Sequence, residues 1–99
     1  MSERILPALA VEGELSIYRA AELKPVLLEH AMRGAPVDLS AVTLLDTAGL
    51  QLLLLAARCA REQGRTLHLA GVSHAVRELV GRLGLATELG LAARTDEPA

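Results

Sequence analysis

Val37-Asp38-Leu39-Ser40-Ala41-Val42-Thr43-Leu44-Leu45-Asp46-Thr47-Ala48-Gly49-Leu50 is the stretch on which the fold turns. Val37–Leu39 is short and apolar, as a buried central strand is. The stretch Val42–Leu45 follows, and Asp46-Thr47 then supplies two good N-cap side chains. Beyond them leucines and alanines run towards Gly64, which stops the helix. Gln51, Arg58, Arg61 and Glu62 share one side of that helix, so the rest of its circumference should be covered.

Upstream, residues 8–11 and 14–18 flank Gly13, with Leu15 and Ile17 alternating as in a half-buried strand. The pair reads as a hairpin turned at Glu12-Gly13. Over residues 21–32, Leu23, Val26, Leu27 and Ala31 mark one helical face. Pro25 is tolerated best in a first turn, which predicts a helix start near Glu22; Gly34 and Pro36 end the helix. Downstream, residues 66–70 read as a strand. Ser73 caps a helix with Val76, Leu79, Val80 and Leu83 on its inner face, and Gly84 and Leu85 form a Schellman end against Val80. Leu53, Leu54, Val76, Leu79, Val80 and Leu83 are the expected core. The element order β-β-α-β-α-β-α argues for an α/β fold, a mostly parallel sheet with right-handed crossovers.

Composition narrows the function. Ninety-nine residues suit one domain that buries roughly 64% of its unfolded surface, with an expected ordered core over residues 8–91 and loose ends at 1–4 and 93–99. Hydrophobic residues make up 52%, but Tyr18 is the only aromatic, so no base-stacking platform exists. Ten basic against twelve acidic residues give a net charge of −2 and no footprint for nucleic acid. The apolar run 52–57 is too short to span a bilayer, and Pro7 breaks the apolar stretch 5–11, which lacks a cleavage site. One cysteine, Cys59, forms no internal disulfide. A soluble cytoplasmic chain, monomeric or weakly dimeric, is expected.

No enzyme constellation is present. Phosphate-loop, dinucleotide and zinc-protease motifs are all missing, and His30, His68 and His74 lie on different elements without ligand spacing. Cys59 sits on an apolar helix face as a small hydrophobe. Arg58, Arg61 and Arg65 have the spacing of a phosphate-binding ridge, but a solvated face accounts for them as well. No catalytic residue, metal or cofactor is therefore expected. Residues 46–50 stand apart. Their structural reading is a cap at Asp46 or Thr47 with Gly49 allowing close packing. Yet Gly49 costs about 1 kcal/mol against Ala inside a helix, and a hydroxyl at a helix start is a favourable place for a phosphate.

The segment 37–50 resembles the signature of the STAS family, the sulphate-transporter and anti-sigma-factor-antagonist domains. The resemblance extends through Gly13-Glu14-Leu15, Gln63-Gly64-Arg65-Thr66-Leu67, Gly71-Val72-Ser73-His74-Ala75-Val76 and Leu83-Gly84-Leu85, nearly the whole chain in order. It implies a single STAS-like domain with helices mainly on one sheet face. It also implies a phospho-acceptor directly after the motif's aspartate, which here is Thr47 where serine is typical. Ser16 departs from the family's aspartate after Gly-Glu-Leu. The partner-binding surface implied is Asp46, Thr47, Ala48, Gly49 and Leu50 with Ser16 and Ser40. The implied function is a non-enzymatic adaptor acting in regulation of transcription, chemotaxis or two-component signalling. Unphosphorylated, it would hold a serine/threonine kinase or anti-sigma factor, and phosphorylation would release it. The alternative is the small STAS subunit of a bacterial ABC lipid transporter, clamping the transporter ATPase; those subunits also carry Asp-Thr before Gly-Leu.

Overall fold

In the computed structural model, which describes residues 6–91, two broken strands run side by side in parallel. The first consists of β1 (Leu9–Ala10) and β2 (Gly13–Leu15), the second of β3 (Val37–Leu39) and β4 (Val42–Leu45). β1 pairs with β3 and β2 with β4. Val11 N–H donates to the Asp38 carbonyl and Gly13 N–H to the Ala41 carbonyl, both at 3.0 Å, carrying the ladder across the breaks. β5 (Leu69–Val72) pairs in parallel with β3 on the side away from β1. Among the described residues there are three helices: α1 (Ile17–Arg33), α2 (Thr47–Glu62) and α3 (His74–Arg82). The expected α/β class and mostly parallel sheet are what the chain adopts.

The hairpin is a correction. β1 and β2 do not pair with each other; both pair with the strand after α1. Gly13, at φ 79°, puts a kink in a continuing strand instead of reversing it. Arg19 holds that kink, its Nη1 donating to the carbonyls of Glu12 and Glu14 at 2.6 and 2.8 Å. The start of α1 is a second correction. The helix begins at Ile17, so Ile17 and Tyr18 are exposed helical residues and Pro25 lies mid-helix. Pro25 and Ala21 both face solvent, where water can take the carbonyl that Pro25 leaves free.

β5 starts three residues later than expected and runs two further. Its partner β3 starts at Val37 because Pro36 has no N–H for the ladder. Gly71 extends β5 past Asp38, whose carboxylate a Cβ at position 71 would strike. Downstream, Ser73 caps α3 as expected, its Oγ accepting the Val76 N–H at 3.2 Å. Gly84 and Leu85 close the Schellman end by donating to the carbonyls of Gly81 and Val80. The expected loose ends, 1–4 and 93–99, lie outside the described residues.

The core sits where α1 and α2 cover the strands, with Leu15, Leu27, Val37, Leu39, Leu53 and Val76 all fully buried. Leu53, Val76 and Val80 are core as expected, while Leu54 and Leu79 are half-buried. Leu83 is 52% exposed, because α3 ends at Arg82 and the chain turns away before the inner stripe is completed. In urea denaturation, Leu53→Ala should cost about 2–5 kcal/mol. Leu83→Ala should stay within about 0.5 kcal/mol. Equal losses at the two positions would contradict this burial pattern.

Candidate functional site

Asp46 lies between two helix beginnings. One carboxylate oxygen accepts the Gly49 N–H at 2.8 Å and so caps α2. The other accepts, at 3.0 Å, the N–H of Ile17, the first residue of α1. Of the two capping candidates, then, Asp46 is the cap and Thr47 the first helical residue. The Gly49 amide first, and the Ile17 amide second, hold the Asp46 carboxyl below the usual carboxylate range.

Gly49 explains itself in the same place. A Cβ there would overlap the Leu15 carbonyl oxygen and press on Leu45 Cδ1 at 3.0 Å. The missing side chain lets α2 start directly against the end of β2. Ser16 caps α1: its Oγ accepts the Tyr18 N–H at 3.2 Å and donates to Glu14 Oε1 at 2.8 Å. An aspartate at position 16 would set a second carboxylate against Glu14; the serine caps without that repulsion.

The residues implied by the resemblance fall into three environments. Thr47 is exposed and Ala48 half-buried. Asp46 is half-buried, and Gly49, Leu50 and Ser16 are buried, so these four shape the surface from beneath. Ser40 belongs to another cluster. Its N–H and Oγ donate to Asp38 Oδ1 at 2.9 and 2.7 Å, which holds the Asp38 carboxyl below its ordinary range. Two residues beside Thr47 were missed by reading the sequence. Ile17 is 63% and Tyr18 86% exposed at the neighbouring helix start. That the sole aromatic of the chain follows a Ser cap was the available signal.

The remaining candidates disperse. His30 is buried, with Nδ1 and Nε2 each 3.0 Å from a carbonyl, those of Val26 and Pro7. His68 is exposed, and His74 lies 3.8 Å from Glu78 on the surface of α3. Among the described residues no three His, Cys, Asp or Glu gather as metal ligands would. The three arginines do not form one ridge: Arg58 borders α1, Arg61 the 87–90 turn, and Arg65 lies over Gly34.

This arrangement, an aspartate cap followed by an exposed hydroxyl on a parallel α/β frame, agrees with the family comparison. The family model described as "Mlab, STAS domain" matches residues 2–92. The chain belongs to the STAS family. No curated protein matches it. STAS domains are generally non-enzymatic and typically bind protein partners. No helix among the described residues of this STAS domain is long and apolar enough to cross a membrane.

The capping geometry generates two predictions. The folded Asp46 value lies below the unfolded one. Its stabilisation is therefore complete above about pH 4 and drains as the pH falls through the lowered value. Asp46→Asn, which does not titrate, should be less stable than wild type at neutral pH. The gap should close below about pH 4 in urea titrations across pH. A gap that stayed constant down to about pH 2 would remove the charge from the explanation. Gly49→Ala should destabilise by about 1–3 kcal/mol in the same assay, overriding the helix-propensity gain of about 1 kcal/mol.

Proposed function

We propose that this STAS domain is a partner switch of the anti-sigma-factor-antagonist kind, regulated by phosphorylation of Thr47. Unmodified, it binds a serine/threonine kinase or anti-sigma factor; phosphorylated, it lets go. The observation that carries the reading is the division of labour at 46–47. Asp46 already occupies the Gly49 and Ile17 amides, so a phosphate on exposed Thr47 stays on the surface. A phosphate's charge of about −1.5 to −2 leaves the capping intact and is felt by whatever docks there. A partner covering Thr47 would have to desolvate that charge without a matching cation.

A second reading is the STAS subunit that regulates the ATPase of a bacterial ABC lipid transporter. The exposed Ile17 and Tyr18 beside Thr47 support it, since they would suit a lasting interface with Thr47 as a contact. Titration calorimetry against the partner co-purified from the native cell separates the two. Under the switch, Thr47→Glu keeps a native melting profile and binds at least about tenfold more weakly, about 1.4 kcal/mol. Thr47→Ala folds and binds like wild type. Equal affinity for all three proteins would remove Thr47 from the mechanism and favour the transporter subunit.

A further inference from the structure

An open groove of about 670 Å³ runs between α1 and α2. Ala20, Ala21 and Lys24 line one wall, and Ala48, Leu55 and Arg58 are prominent on the other. Both sets recur at helical spacing, so each wall is one stripe of its helix. Ile17 continues the α1 stripe one turn towards the helix start, and Thr47 directly precedes Ala48. Thr47 is thus the sequence neighbour of a groove-wall residue at the start of α2. Its floor is alanine and leucine and its cations are Lys24 and Arg58. Among the described residues no carboxylate lines it, and neither cation has an ion-pair partner. On a chain of net charge −2 this is a local reversal of sign.

We propose that this groove docks an acidic amphipathic helix of the partner protein. The proposal rests on the partner-switch reading and deepens it by giving the partner's chemistry. Both walls are helices, which present no sheet edge, so a strand would find no ladder to join. The occupant must satisfy its own backbone, as a helix does, and enter with apolar side chains at i, i+3, i+4 and i+7. Carboxylates flanking that apolar face meet Lys24 and Arg58. A phosphate on Thr47, next to Ala48 of the groove wall, then adds a like charge near the occupant's carboxylates, so release follows from repulsion.

Two synthetic helices of about four turns test this. Each carries leucines at the four spaced positions; one has flanking glutamates and its twin flanking lysines. Binding is followed by amide shifts of the labelled protein and by titration at two salt concentrations. The glutamate peptide should bind at least about tenfold tighter than its twin, weaken with salt, and shift amides of residues 20–24 and 48–58. The double variant Lys24→Glu/Arg58→Glu should invert the preference, and Thr47→Glu should weaken the glutamate peptide. Absence of charge preference, or shifts elsewhere, would overturn the groove proposal. Groove shifts on dilution, or on removal of residues 92–99, would give the groove to a second copy or to this chain's own end, and overturn it equally. If Lys24→Glu/Arg58→Glu inverts the preference while Thr47→Glu changes nothing, the groove stands and the phosphorylation reading fails. If the peptides show no preference but Thr47→Glu still weakens the co-purified partner, the switch stands without the groove.

Discussion

One carboxylate sets the geometry of this domain. Asp46 takes an amide from the start of α1 with one oxygen and an amide from the start of α2 with the other. Each helix begins with backbone donors that lack partners within the helix, and here one side chain serves both. The bond to Ile17 joins residues 29 apart in sequence, so it fastens the first half of the chain to the second at the sheet's C-terminal edge. Gly49 makes the arrangement possible, since α2 could not start so close to Leu15 with a side chain there. The negative charge also sits at the positive ends of two helix dipoles, where it is most favoured.

The same economy explains why the surface above is available. Capping is done from below, by buried Ser16 and half-buried Asp46, and it uses the backbone amides of Ile17 and Tyr18 but none of the side chains of Thr47, Ile17 and Tyr18. These three are left facing solvent at adjoining helix starts. The capping frame and an exposed surface thus share one corner of the domain without sharing side chains. The exposed residues can change chemically, or be covered, without disturbing the bonds that hold the two helices.

Legibility in the sequence follows how local each signal is. The run from Val37 to Leu50 was readable because strand, cap and helix signals lie within a few residues of one another, and the caps at Asp46 and Ser73 are bonds of three residues' reach. Residues 8–18 were misread because their decisive bond is remote. A glycine between two apolar pairs describes a kink as well as a turn, and the Ile17–Asp46 bond, reaching across 29 residues, adds to the Ser16 cap in starting the helix at Ile17. Pro25 misled for the same reason: its usual place in a first turn gives way when capping sets the helix start eight residues earlier. Leu83 kept the correct spacing but lay beyond the end of α3, where spacing no longer predicts burial. At the site, the cap and its neighbour were legible, whereas Ser40 is engaged with Asp38, to which its N–H and Oγ both donate.

Tyr18 carries a consequence of another kind. The chain has no tryptophan, and its single tyrosine is 86% exposed at the start of α1. Its ring is nearly as hydrated in the native state as in an unfolded chain, so its near-ultraviolet absorbance and emission are almost blind to folding. Covering that ring changes its surroundings more than unfolding does. The domain therefore carries, at the corner beside Thr47, an intrinsic optical probe that responds to contact and stays nearly silent about its own stability.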